Sequence, residues 1–215
     1  MKSYEQLLLA NKAWATEKSE TNPDFFPNLA KGQHPRFLWI GCSDSRVPAD
    51  MITGTEPGEI FVHRNVANMV VHTDLNMLSV LQYAVEVLKV EHVMVVGHYG
   101  CGGVLASMKP AHLGLINKWL RNIKEVYRIH QDQLDEIQDF EKKGDKLVEY
   151  NVIEQVYNLA KTSIIQRAWK KGQPLVIHGW VYGMNDGIIK DLIRMENMDD
   201  LDPIFQFTFE GDTER

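Results

Sequence analysis

The chain has two cysteines in 215 residues, and one of them follows a histidine by three places. His98-Tyr99-Gly100-Cys101-Gly102-Gly103 comes directly after the apolar run Val93-Met94-Val95-Val96-Gly97, so both side chains stand where a buried strand gives way to a glycine-rich loop. Imidazole nitrogen and thiolate sulfur are donors that zinc prefers. A strand end fixes the first, and the glycines let the backbone carry the second to the same ion. Cys42 occupies the same kind of position, after Arg36-Phe37-Leu38-Trp39-Ile40-Gly41. If the two strands are neighbours in a parallel sheet, their C-terminal ends bring Cys42, His98 and Cys101 to the edge where α/β folds bind ligands. Such a set leaves a fourth position open to water, the pattern of a catalytic rather than a closed structural zinc. A Cys42–Cys101 disulfide is the competing reading, and it leaves His98, Asp44 and Arg46 without a role.

Asp44 and Arg46 stand two apart in the loop after Cys42. Read locally they form an ion pair that caps the next helix and contributes little if exposed. Beside a zinc they do more: Asp44 can take a proton from a metal-bound water or bind the metal itself, while Arg46 grips the carboxylate with two donors. The chain has eight histidines, and only His98 combines a strand end, a glycine loop and a cysteine. The other seven read as surface or core hydrogen-bonders.

These side chains need a frame. Strands are predicted at 36–41, 59–65, 93–96 and 175–180, with a fifth at 204–209 on an edge. A helix capped by Thr73 or Asp74 carries Leu75, Leu78, Leu81, Val85 and Leu88, and the order strand, crossover, strand implies right-handed parallel connections. Residues 111–173 read as almost wholly helical: one helix with Leu115, Ile116, Trp119, Leu120, Ile123 and Val126 on a face, an exposed charged stretch at 131–146, and a second long helix over 147–171 ending at Gly172. An N-terminal helix spans about 2–18 and stops at Asn22-Pro23. The expected fold class is α/β, a mostly parallel central sheet of four strands plus an antiparallel edge strand, flanked by helices. The N-terminal helix lies either over its own sheet or over a neighbour.

Cys42-x-Asp44-x-Arg46 followed by His98-x-x-Cys101 resembles the zinc signature of the β-class carbonic anhydrases, and the similarity runs from about Gln33 to the Trp180 region. The resemblance implies one Zn²⁺ per chain and reversible hydration of carbon dioxide to bicarbonate and a proton by attack of zinc-bound hydroxide, with Asp44 and Arg46 catalytic. It also implies a substrate pocket of Gln33, Phe61, Val66, Tyr83 and Gly102, partly supplied by a partner subunit, and a protruding N-terminal arm (1–30) that packs on that partner in a homodimer or tetramer. Trp39, Arg64 and Tyr182 resemble the trio that holds a regulatory bicarbonate in the bacterial type II subgroup. There Asp44 would leave Arg46 and become the fourth zinc ligand in a closed, inactive state. Two thiolates cancel the charge of Zn²⁺, so activity is expected to favour the alkaline side. Two readings compete: hydrolysis of another heteroallene such as carbonyl sulfide or carbon disulfide, and a non-catalytic zinc-binding module.

Composition narrows the classes further. With 44% hydrophobic and 24% charged residues the chain suits a single domain over 1–215 with a core of its own. A net charge of −6 and a pI near 5.7 offer no basic stripe for nucleic acid. No apolar run approaches the roughly twenty residues of a membrane span. Leu7-Leu8-Leu9-Ala10 is too short for a signal-peptide core, and two cysteines make no disulfide framework, so a cytoplasmic location is expected.

Overall fold

The structure, a computed structural model, describes residues 3–209. Within them the chain forms two compact units that meet in sequence between His34 and Pro35. The first holds helices α1 (Tyr4–Thr21) and α2 (Phe25–Leu29). A reciprocal cap starts α1: the Ser3 hydroxyl accepts from the Gln6 N–H, and the Gln6 side chain accepts from the Ser3 N–H. Trp14 meets Phe25 and Phe26 edge-on at centroid distances of 6.1 and 5.7 Å. No residue of α1 is buried, and Tyr4, Leu7, Leu8 and Leu9 are exposed.

The second unit runs β1 (Phe37–Cys42), α3 (Ala49–Thr53), β2 (Ile60–Asn65), a 3₁₀ turn (Val66–Asn68), α4 (Leu75–Gln82), a π turn (Tyr83–Val87), β3 (His92–His98), α5 (Gly102–Ser107), α6 (Ile116–Ile129), α7 (Gln131–Asp135), α8 (Phe140–Ala160), α9 (Ser163–Lys170), β4 (Val176–Tyr182) and β5 (Ile189–Met195). The sheet order is β2-β1-β3-β4-β5, parallel except for the antiparallel β4–β5 pair. From β1 the chain goes to β2 on one side and then to β3 on the other. The winding therefore reverses between β1 and β3, which opens a crevice at their C-terminal ends. Successive residues alternate between faces. Leu38, Ile40, Val93 and Val95 join the larger core under α4, α6, α8 and α9, whereas Trp39, Met94 and Val96 join Val47 and Ala49 in a smaller one.

Three expectations are corrected. The antiparallel edge strand is 189–195, not 204–209. Gly179 pairs with Ile193 and Trp180 with Asp191, so Leu192 is an extra residue that breaks the period-two pattern and hides the strand. Pro203–Phe205 instead forms a 3₁₀ turn capped by Asp202, and residues 206–209 are not in a strand. The helix expected over 147–171 is two helices, because Thr162 accepts from the Ile165 N–H and caps α9. The stretch 131–146 is not uniformly exposed: Leu134 is fully buried, and a Cβ on Gly144 would lie 2.4 Å from Leu105 Cδ2, so α8 approaches α5 closely there. At the start of α4, Asp74 is the cap, accepting from the N–H groups of Asn76 and Met77. Among the described residues no helix is long and apolar enough to cross a membrane.

Candidate metal centre

Cys42 is the last residue of β1 and His98 the last of β3, and these strands pair directly, in register from Phe37–His92 to Gly41–Val96. Cys101 follows where Gly100, at φ +66°, turns the chain into α5. One donor atom from each residue lies within 4.8 Å of the others, and all three residues are buried. Both cysteines are free, with their Sγ atoms 4.0 Å apart, so the structure takes the ligand reading over the disulfide.

The imidazole is oriented for metal. Its Nδ1 lies 3.0 Å from the Tyr99 carbonyl, which can only accept, so Nδ1 carries the hydrogen and Nε2 the lone pair. Nε2 is buried and has no hydrogen-bond partner among the described residues. A buried, unpaired nitrogen is costly unless something else occupies its lone pair, and a zinc ion does so.

The thiols show the same readiness. The hydrogen bond from Cys101 pulls the Cys42 thiol far down, against its burial, with help from His98 and from the backbone N–H groups of Ala67 and Asp44. The Cys101 thiol is pushed up by that shared hydrogen bond, by burial and by the Cys42 thiolate, although the N–H groups of Val104 and Gly103 point at it. The pair thus favours the thiolate on Cys42, and a dication between the two sulfurs would release the proton of Cys101. Burial pushes the His98 imidazolium down, but the Cys42 thiolate, the Tyr99 carbonyl and Asp44 outweigh it, and the balance is upward.

Asp44 stands at the rim. Its Oδ2 is 3.7 Å from His98 Nε2, and Arg46 grips the carboxylate at 2.9 Å (Nε to Oδ1) and 2.8 Å (Nη2 to Oδ2), while the Arg46 N–H adds a third bond of 3.0 Å. Those bonds hold the carboxyl far below the usual carboxylate range. Asp44 and Arg46 are therefore paired with each other, and Asp44 is outside the ligand group.

The remaining expected site residues are spread over several places. Gly102 opens α5 with free space around its Cα, and Val66 lies beside the next residue, since a Cβ on Gly103 would be 2.9 Å from Val66 Cγ1. Phe61 and Tyr83 pair with each other at 5.8 Å, with Tyr83 exposed. Gln33 is exposed and belongs to the first unit. Trp39 and Tyr182 share the smaller core, while Arg64 reaches the loop itself: its Nε donates to the Cys42 carbonyl at 2.9 Å and its Nη2 to the Asp44 carbonyl.

Sequence reasoning missed the turn that presents Ala67. Ala67 and Asn68 adopt left-handed φ values of 63° and 48°, strained for residues with a Cβ. A ladder on α8 holds them: Asn151 donates to the Ala67 carbonyl at 3.1 Å, Gln155 accepts from the Val70 N–H at 2.7 Å, and Asn158 donates to the Val70 carbonyl at 3.2 Å. The spacing 151, 155, 158 was the available signal, a polar stripe on a face that also carries Val148, Val152 and Val156.

With this geometry in view, comparison with known proteins is decisive. The Carbonic anhydrase family model matches residues 37–189. The chain belongs to the β-class carbonic anhydrase family. A carbonic anhydrase from Emericella nidulans is 48% identical over 190 residues, which is 88% of this chain and 83% of that one. A Coccomyxa β-carbonic anhydrase, solved with acetazolamide, superposes with a TM-score of 0.88 at 38% identity over 93% of this chain and 91% of its own. A β-carbonic anhydrase from Sordaria macrospora, one of two described as tetrameric, gives 0.85 at 39% identity over 89% and 98%. Enzymes of this class use one zinc, and Cys42, His98 and Cys101 are the group able to hold it here.

Proposed function

We propose that this carbonic anhydrase hydrates carbon dioxide reversibly to bicarbonate and a proton at the site formed by Cys42, His98 and Cys101. The observation that carries the reading is the meeting of three soft donors with an ionised carboxylate whose Oδ2 is 3.7 Å from the free histidine nitrogen. Zinc held there would lower the pKa of a coordinated water and so supply a nucleophile, on the alkaline side because the two thiolates cancel the charge of the ion. The protein supplies the rest. Asp44 accepts a proton at Oδ2, and the Arg46 fork keeps that oxygen ionised and aimed. Val66, Gly102, Phe61 and Tyr83 line the approach of a neutral, apolar substrate, and Gln33 binds the anion. A second copy of the chain completes this pocket in a dimer or tetramer located in the cytoplasm.

The test pairs zinc content with the CO₂ hydration rate in wild type and Cys101→Ser. Wild type should hold one zinc per chain, and the variant should lose most metal and activity. Full occupancy in Cys101→Ser would overturn the ligand set, and zinc-loaded wild type that hydrolysed carbonyl sulfide but did not hydrate CO₂ would favour the heteroallene alternative.

A second reading, bicarbonate regulation of the type II kind, is favoured by one contact: Arg64 binds the carbonyls of both Cys42 and Asp44. Trp39 lies on the strand that feeds this loop, and its buried Nε1 has no hydrogen-bond partner among the described residues. Bicarbonate beside Trp39, Arg64 and Tyr182 would draw Arg64 away from the loop and free Asp44 to exchange Arg46 for the metal. By linkage, the closed arrangement binds bicarbonate more tightly by the same factor. Trp39→Ala should weaken inhibition by bicarbonate while zinc stays bound. An unchanged bicarbonate response in both Trp39→Ala and Arg64→Ala would remove the second site and leave the first intact.

A further inference from the structure

One peptide unit separates His98 from a carboxylate on α8. The Tyr99–Gly100 peptide offers its carbonyl to His98 Nδ1 at 3.0 Å and its N–H to Asp145 Oδ1 at 2.9 Å. A peptide is planar and conjugated, so an anion at its N–H end makes its oxygen a better acceptor at the other. The same turn is held one helical turn along α8, where Glu149 Oε1 accepts from the Tyr99 hydroxyl at 2.7 Å. Glu149 is fixed in turn by Lys190 of β5 at 2.7 Å and Lys146 at 2.9 Å, and the Tyr99 N–H is tied to the Tyr182 carbonyl at 3.1 Å. Both residues between the ligands His98 and Cys101 are thus gripped by acids four apart on one helix. The helix can stand this close because Gly97 has no Cβ; one there would lie 2.7 Å from Val152 Cγ2 and 3.2 Å from Val148 Cγ1.

We propose that Asp145 is a positioning residue for the metal centre, acting on His98 through the Tyr99–Gly100 peptide, with Glu149 bracing the same turn through the Tyr99 hydroxyl. Metal-bound histidines commonly donate their second nitrogen to a carboxylate or a carbonyl, which fixes the tautomer and strengthens the ligand. Here the carbonyl receives the hydrogen, and the carboxylate acts one peptide further out. Gly100 suits this arrangement, because its left-handed φ lets the chain turn on to Cys101 while its N–H stays on Asp145. The inference rests on Cys42, His98 and Cys101 binding zinc.

The test is zinc affinity, measured by competition with a chromophoric chelator, together with the visible spectrum of the cobalt-substituted protein. Asp145→Ala removes both the charge and the acceptor and should weaken zinc about tenfold, within the range known for such outer partners. Asp145→Asn keeps an acceptor oxygen for the Gly100 N–H and should recover most of the loss, leaving zinc about threefold weaker than in wild type with the cobalt bands restored. Since Asn is isosteric, it decides the matter if the alanine variant does not fold. Zinc affinity within twofold of wild type in Asp145→Asn and in any folded Asp145→Ala, with an unchanged cobalt spectrum, would overturn the positioning role. Wild type that took up no zinc would instead overturn the metal site itself.

Discussion

Substituting Gly97 by Ala tests the closeness of β3 and α8 more sharply than any change at the metal. Gly97 is not among the positive-φ glycines, so alanine meets no backbone strain. The damage is steric: the new Cβ would lie 2.7 Å from a methyl of Val152, which is fully buried, and 3.2 Å from one of Val148. Overpacking of this kind costs about 1–3 kcal/mol, offset by roughly 0.5 kcal/mol because alanine restricts the unfolded chain. The net expectation is a loss of about 1–2 kcal/mol. Val152→Ala alone deletes two buried methyl groups and costs about 2–3 kcal/mol. In the double variant the cavity receives the methyl, so the loss should fall short of the sum by about 1 kcal/mol or more. Urea unfolding at fixed protein concentration and fixed zinc reads all four proteins. Losses that add within about 0.5 kcal/mol would refute the close packing, and with it the reason α8 can reach the metal loop.

Three further outcomes are expected. Asp44→Asn should keep zinc at one per chain while CO₂ hydration falls by about a hundredfold or more, as loss of a proton acceptor implies; undiminished turnover would move that role elsewhere. Burial would raise the Glu149 pKa, yet hydrogen bonds from Lys190, Lys146 and Tyr99 lower it from 4.5 to about 2, so the stability it lends is complete above pH 4.5 and is lost as pH falls toward 2, up to about 3 kcal/mol for a side chain 12% exposed. The wild-type minus Glu149→Gln stability difference should therefore shrink across that window, and a difference constant with pH would contradict it. Sizing in solution should show a dimer or larger, and a fully active monomer would rule out a pocket shared between subunits.

The metal ligands were legible because their chemistry and position are both local: a strand's end is marked by its glycine, and only one His stands near a Cys. The parallel core was legible from the apolar runs that feed Cys42 and His98. Strand β5 was not, since the bulge at Leu192 destroys the alternation by which a strand is recognised, whereas Phe205-Gln206-Phe207-Thr208-Phe209 alternates without forming one. The ladder of Asn151, Gln155 and Asn158 was illegible for a different reason. Polar residues at helical spacing read as a wet face, and only tertiary structure shows that their partners are the backbone of residues 67–70. Asp145 falls in the charged stretch expected to be exposed, and nothing in the sequence links it or Glu149 to the Tyr99–Gly100 turn that they hold.

The pairing of β1 with β3 also bears on how the chain folds. Cys42 and Cys101 are 59 residues apart, and β2, α4 and the π turn lie between them. Neither sulfur can share an ion with the other until the crossover is complete and two parallel strands have met, a late and slow event because loop closure precedes its reward. The complete set of three donors therefore exists only on the finished sheet. Zinc held by all three should act as a latch on that sheet, so unfolding measured with and without zinc should change in rate far more than refolding does.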